Sequence, residues 1–231
     1  MRSGSDATTG DLPHPLVARL WDRISRSCEG KGAAEHREQL LAGLTGRVIE
    51  IGAGNGINFA HYPAEVSQVV AVEPEPYLRR LAEAAAKDAP VPVEVLPGTA
   101  EALPVDDGAF DAAVASLVLC TVPDARASLT EIARALKPGG ELRFYEHVLS
   151  DRPRFARLQR AFDVVYVRLN GWGCHASRDT FAAIEGAGFV VEELRRFRFQ
   201  PSVFEVMVSP HMIGRAKRPA EPGSQEARHV R

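Results

Sequence analysis

The feature that most constrains the fold is the junction at residues 47–56, RVIEIGAGNG, where a strand-forming run passes straight into glycines at 52, 54 and 56. Val48, Ile49 and Ile51 favour extended backbone. The glycines allow dihedrals that side chains resist and let the main chain approach a neighbour closely. The pattern then repeats in outline. QVVAVEP at 68–74 predicts a second strand, and PYLRRLAEAAAKDA at 76–89 a helix of good formers. VPVEVLPG at 91–98 predicts a third strand. FDAAVASLVLC at 110–120 is almost continuously apolar, as expected of a strand buried on both faces of a parallel sheet. DARASLTEIARALKPGG predicts a helix ended by Pro138, Gly139 and Gly140, and ELRFYEHV at 141–148 a fifth strand.

Flanking segments complete the outline. Leu16, Leu20 and Ile24, then Leu40, Leu41 and Leu44, recur at helical spacing, so two helices are expected over 16–44 with a break at Gly30 and Gly32. RFARLQRAFDVVYVRL at 154–169 predicts a helix. SRDTFAAIEGAGF at 177–189 predicts another, capped by Ser177. VVEELRRFRF and FEVMVSPHMIGRAKR predict two final, paired strands. Alternating strands and helices give an α/β, doubly wound, Rossmann-like, mostly parallel sheet with helices on both faces and an antiparallel C-terminal edge. The expected organisation is a disordered lead at 1–14, one domain at 15–218 with a cap at about 148–176, and a disordered tail at 219–231.

Composition narrows the partners. A formal charge of -2 over 231 residues, without a basic run interleaved with aromatics, argues against nucleic acid. Cys28, Cys120 and Cys174 form neither a C-x-x-C pair nor a set with zinc spacing, so no metal is expected. The polar start lacks the apolar core of a signal peptide, and no apolar run reaches the length of a membrane span. A cytoplasmic monomer or weak homodimer is the expectation.

Ligands of such sheets bind at the C-terminal ends of the strands, where Gly52 lies. A phosphate-binding loop would need Lys and Ser/Thr after its last glycine, but Ile57 follows Gly56. A dinucleotide loop counted from Gly52 would need glycine at 57. What stands here is E-x-G-x-G-x-G, from Glu50 to Gly56, followed by Asn58. Glu73, with Pro74 behind it, ends the second strand about twenty residues on, where a carboxylate can accept two ribose hydroxyls.

This spacing resembles the first motif of class I S-adenosylmethionine (SAM) methyltransferases, which implies SAM as cofactor, its amino-acid end on the glycine loop. GTAEALPVDDGAFD at 98–111 resembles the adenine-side segment, although Thr99 stands where that family usually has Asp; Thr99, Ala100 and Glu101 are the candidates there, with Ser116 and Leu117 nearby. RALKPGGELRF resembles the following turn and strand. SLVLCTVPD at 116–124, YEHV at 145–148, GCHASRDTF at 173–181 and SPHMIGRAKR at 209–218 resemble one branch, the thiol S-methyltransferases of the mammalian microsomal type, which also lacks the adenine Asp. The resemblance covers about residues 45–217 and implies a small-molecule thiol as acceptor. N-, O- or C-methylation of a lipid or quinone, and a SAM-binding regulator without turnover, remain alternatives; an NAD-linked oxidoreductase is weakened by Ile57.

Methyl transfer from SAM is an in-line displacement in which alignment does much of the work. A thiol reacts as thiolate from a pKa near 8.5, so a modest shift suffices. His147, at the end of the fifth strand, is a candidate base or thiolate stabiliser, or else a hydrogen-bonding residue of the cap. His175 in the cap could reach the acceptor or stand in water. Asp163 could orient a base or face solvent. Cys120 reads as pocket wall rather than nucleophile. His211 reads as a packing residue. Phe155, Phe162, Tyr166 and Trp172 either line an apolar acceptor pocket or pack the cap.

Overall fold

The computed structural model describes residues 15–169, 173–202 and 205–220; the expected lead at 1–14, Trp172 and the tail from 221 lie outside them. Among the described residues, seven strands form one sheet: β1 (Gly46–Ile51), β2 (Val66–Val72), β3 (Val93–Leu96), β4 (Phe110–Ser116), β5 (Leu136–His147), β6 (Val190–Arg198) and β7 (Pro210–Lys217). Their order is β3-β2-β1-β4-β5-β7-β6. The first five run parallel, and β7 inserts antiparallel between β5 and β6. The strand order reverses between β1 and β4, the place where such sheets open a crevice.

The period of two along the strands divides the core into two layers. Ile49, Ile51, Val70, Val72, Ala113, Ala115, Leu142 and Phe144 face one side. There they meet Leu129 and Ile132 of α4 (Ala125–Ala135) and Ile184 of α6 (Thr180–Gly186). Val48, Val69, Ala71, Ala112, Val114 and Tyr145 face the other, against Leu40 and Leu41 of α2 (Ala34–Leu41) and Ala82 of α3 (Pro76–Ala85). Each fully buried leucine of this kind contributes about 1.5–3 kcal/mol. A third apolar cluster joins Cys120, Cys174, Ala176 and Val208, with Phe162 and Tyr166 of α5 (Pro153–Leu169) packed against it. The expected cap aromatics therefore pack in part on the sheet end.

Several boundaries differ from the expected ones. The fourth strand stops at Ser116, because Leu117 takes φ 59° and turns the chain; 117–120 is a tight turn, not strand. Residues 136–140, expected as the end of a helix, already belong to β5. Asp179, not Ser177, caps α6, its carboxylate accepting from the Ala182 amide. The last strand begins at Pro210, and residues 205–209, expected as part of it, lie outside it. Between β1 and β2 the crossover holds only a short helical turn, Phe59–His61.

At the N-terminus, α1 (Pro15–Cys28) and α2 are joined by a wide turn, Glu29–Ala33, in which Gly32 takes φ 108°. Leu16, Leu20 and Ile24 of α1 point outward, at 65%, 52% and 38% exposure. Its inner face carries Ala18, Trp21, Asp22 and Ser25. No described helix is long and apolar enough to cross a membrane.

Candidate active site

The glycine loop leaves β1 between β2 and β4. Gly52, Gly54 and Gly56 take φ 62°, 59° and 75°. Close approach adds to this constraint. A Cβ on Gly52 would lie 2.6 Å from Val118, and one on Gly54 2.8 Å from the Trp21 ring. So α1 lies over the loop, and Asn55 Nδ2 donates to Asp22 Oδ1 at 2.8 Å and Ser25 Oγ at 3.1 Å. Among the described residues, Asn55 Oδ1 is buried without a donor. An acceptor of that kind beside a glycine cradle suits the ammonium of an amino-acid ligand.

Glu50 faces the α2 side of β1 and is fully buried. Its carboxylate accepts from Asn58 Nδ2 at 2.7 Å and from the Tyr62 hydroxyl at 2.8 Å. Burial pushes it up to about 7, against the pull of those two bonds. Asn58 Oδ1 in turn accepts from Arg37 Nη1 at 2.7 Å, and Arg37 Nε donates to Glu29 at 2.9 Å. The Ser116 hydroxyl lies 3.4 Å from the same guanidinium. Glu50 and Asn58 thus hold the loop in shape from below. Arg37 went unrecognised in the sequence. Its signal was there: it falls on the 37, 40, 41, 44 stripe whose other members are buried leucines.

Glu73 ends beside the loop. Its Oε2 accepts from the Gly54 amide at 2.7 Å and its Oε1 from the Glu75 amide at 2.9 Å. Burial lifts it too to about 7. Each oxygen retains a lone pair for a ligand hydroxyl. Pro74 follows, its carbonyl accepting from Arg79 Nη1 at 3.1 Å. Thr99, Ala100 and Glu101 form a turn closed by the Ala102 amide on the Thr99 carbonyl at 3.2 Å. Ala100 is buried, and Glu101 reaches the Asp124 amide at 3.4 Å. Leu117, in its left-handed conformation, donates to the Tyr145 carbonyl at 2.7 Å.

Opposite the glycine loop, the ends of β4 and β5 gather a second group of buried polar side chains. Glu146 is fully buried, and its carboxylate accepts from the amides of Val118, Leu119 and Cys120 at 2.9–3.0 Å. Those bonds build the turn at 117–120. Burial holds Glu146 well above the usual carboxylate range despite them. The next residue, His147, places Nδ1 3.3 Å from Cys174 Sγ and 3.7 Å from Cys120 Sγ. The three donor atoms all lie within 4.8 Å of one another. Burial opposes protonation of His147, but neighbouring Cys120 and Glu146 leave its pKa raised overall. Burial and the Cys174 contact push Cys120 up to about 12, the contact being the larger cause.

The other two catalytic candidates meet beside this corner. His175 Nδ1 stands 3.4 Å from Asp163 Oδ2. Asp163 also accepts from the Ala176 amide at 2.7 Å and the Ser177 hydroxyl at 2.8 Å, so it is a buried organiser of the cap, not a solvated acid. The His175 amide donates to the Cys120 carbonyl at 2.8 Å. His211 packs among Tyr145, Phe197 and His147 with its pKa held well below normal by burial. No spacing in the sequence announced the Cys120, His147 and Cys174 cluster, because each comes from a different element.

Residues 49–144 match the family profile described as a methyltransferase domain. The human thiol S-methyltransferase TMT1B is 33% identical over 210 residues, covering 87% of this chain and 84% of the relative. Human thiol S-methyltransferase TMT1A is 31% identical over 184 residues, 77% of this chain and 74% of the relative. In three dimensions, a SAM-dependent methyltransferase from Thermotoga maritima superposes with a TM-score of 0.63 at 24% identity, covering 88% of this chain and 98% of its own.

Proposed function

The chain belongs to the thiol S-methyltransferase branch of the class I SAM-dependent methyltransferases, and on that premise we propose that it moves the methyl group of SAM to the sulfur of a small-molecule thiol. The observation that carries the acceptor class is the similarity to two human enzymes bearing that name, over most of both chains. The site accommodates the cofactor in kind. The glycine loop receives the amino-acid end, with Asn55 Oδ1 as an acceptor for the ammonium. Glu73 takes the ribose hydroxyls on its free lone pairs. The turn at 99–101 borders the adenine. Glu50, Asn58 and Arg37 act one layer back, fixing the loop.

SAM supplies a methyl group on a sulfonium, already activated, so the protein's task is to align and deprotonate the acceptor. The ends of β4 and β5, with the cap, offer a corner of soft and basic groups, Cys120, His147 and Cys174, beside the crevice. A thiol sulfur suits that corner better than a lipid phosphate or a sugar hydroxyl would, since the two cysteines present weakly polar sulfur rather than strong hydrogen-bond donors.

The test is turnover, read as S-adenosylhomocysteine formed, with alkyl and aryl thiols, a dithiol, a primary amine and a phenol. Product confined to the thiols is expected. Product from the amine or phenol alone would overturn the acceptor assignment, and SAM binding without product from any of them would overturn the reading as an enzyme of this branch.

A further inference from the structure

We infer that Cys120, His147 and Cys174 form a three-donor binding site for a single zinc ion, with the fourth ligand position facing the acceptor. The donors come from three elements: the turn after β4, the last residue of β5, and the cap. Two thiolates and an imidazole are the ligand set zinc prefers. With Zn–S near 2.3 Å and Zn–N near 2.0–2.1 Å, a tetrahedral ion sets its sulfur–nitrogen edges at about 3.6 Å. The observed edges, 3.3 Å and 3.7 Å from His147 Nδ1, bracket that value, and the remaining sulfur–sulfur edge is no longer than 4.8 Å.

The surroundings hold the donors in place. Glu146 accepts from the Cys120 amide at 3.0 Å and fixes the whole turn. The His175 amide ties the cap to the Cys120 carbonyl. Arg178 Nη1 donates to the Leu119 and Val122 carbonyls at 2.7 Å and 2.6 Å, and Asp163 accepts from the Ala176 amide. Every donor is thus carried on backbone fixed by another element, so binding an ion costs little ordering. Cys120 and Cys174 are buried, while His147 is partly exposed, which leaves the histidine side of the cluster open.

Three protein ligands leave a tetrahedral ion one further position. The role of that position rests on the thiol reading above; the metal site itself does not. Zinc with two cysteine thiolates and a neutral imidazole carries no net charge. An acceptor thiol that binds there loses its proton to water, and the bound thiolate makes the complex anionic, which keeps its sulfur nucleophilic. That sulfur forms the new bond to the methyl carbon. The methyl–sulfonium bond breaks, and its electron pair stays on the sulfur of S-adenosylhomocysteine. The product is a neutral thioether, a weaker ligand, and departs.

The test begins with the full chain, stripped by a chelator and dialysed against zinc, then against cobalt as a spectroscopic probe, without SAM or acceptor. One equivalent of metal is expected, with a sulfur-to-cobalt charge-transfer band and the intense visible bands of a tetrahedral site. Cys120→Ser and Cys174→Ser should lose both, and Cys28→Ser should keep them. Thermal unfolding and SAM binding check that the variants fold. If both cysteine variants misfold, the wild type and Cys28→Ser decide: both should bind one equivalent of cobalt with the same sulfur-to-cobalt charge-transfer band. An alkyl thiol should shift the cobalt band, and the alcohol of the same shape should not. Substoichiometric metal, metal retained in both cysteine variants, or no sulfur-to-cobalt band overturns the site. Unchanged thiol methylation after zinc removal overturns the fourth-ligand role and leaves thiol methylation standing. Zinc bound with no thiol methylated overturns the acceptor class, and with it the fourth-ligand role, but not the site.

Discussion

Replacing Glu73 with glutamine separates what this side chain does for the fold from what it does for the cofactor. Its native pKa stands at about 7 against an ordinary 4.5, with burial the chief cause. A carboxylate raised in this way stabilises the native state only while protonated. The contribution is fully present below about 4.5 and is lost as the pH rises through about 7. At about pH 8 the ionised carboxylate therefore costs the native state about 3 kcal/mol relative to its acid form, of which about 2 kcal/mol develops above pH 5.5. Glutamine removes that cost. It also gives up an acceptor, since one of the amides of Gly54 and Glu75 then faces an NH₂ group, at a cost of about 1–3 kcal/mol. Near pH 8 the two effects almost cancel, and at about pH 5.5 the variant should be the less stable.

SAM binding should respond quite differently. The ribose hydroxyls need an ionised acceptor, and loss of it weakens binding by about 2–4 kcal/mol, roughly 30- to 1,000-fold in Kd. For the wild type, affinity should fall about tenfold per pH unit below 7, as the carboxylate takes up a proton. Glu73→Gln should bind weakly at every pH, with a flatter profile. Urea unfolding and calorimetric titration with SAM at about pH 5.5, 7 and 8 read both quantities. Equal SAM affinity in the two proteins would refute the ribose assignment. A variant several kcal/mol less stable at pH 8 would refute the burial argument.

Four further outcomes follow from the geometry. Gly54→Val, which forces a β-branched residue to φ 59° and drives its Cβ to 2.8 Å from Trp21, costs about 1–2 kcal/mol in backbone strain alone; SAM binding should be lost with circular dichroism unchanged, and intact binding would contradict the loop assignment. Arg37→Met strips the donors from Asn58 and Glu29 and should lower urea stability by about 3–5 kcal/mol, whereas a loss below about 1 kcal/mol would mean the pair behaves as a surface one. His147→Ala should cut thiol turnover while SAM affinity stays within about twofold; an equal fall in both would move His147 away from the acceptor. Asp163→Ala removes the acceptor of Ala176 and Ser177, so hydrogen exchange at 173–178 should speed up and the KM for the thiol should rise, and unchanged exchange would deny it a role in ordering the cap.

How much of this was legible in the chain depends on whether a signal is local. The sheet was, because Val48 to Ile51, Val69 to Val72 and Ala112 to Ala115 each carry their own pattern, and the glycine loop was, because its three positive-φ positions sit within five residues. Strand ends were less so. FDAAVASLVLC is apolar to its last residue, yet the strand stops at Ser116, since Glu146, from the neighbouring strand, draws the amides of 118–120 out of the ladder. A local pattern cannot register a competitor that lies some twenty-six residues away. The same holds for the cap, where Ser177 had the composition of a helix start but spends its hydroxyl on Asp163, leaving Asp179 to cap α6.

Two polar residues gave a sign that periodicity alone can read. Arg37 falls on the helical period of Leu40, Leu41 and Leu44, although α2 itself ends at Leu41, and Glu146 shares a strand face with Leu142 and Phe144. A charge placed among core positions must find partners, because an unpaired buried charge is too costly to keep. Both do: Arg37 braces the loop through Asn58, and Glu146 shapes the turn that carries Cys120. Charged residues out of place in an apolar period therefore mark where this chain gives up stability to shape its loops, one at the glycine loop and one at the turn after β4. The sulfur–histidine corner has no such sign. Cys120, His147 and Cys174 are separated by 27 residues at each step, and only the sheet register, with Ser116 beside Tyr145, and the cap folded over it bring them together.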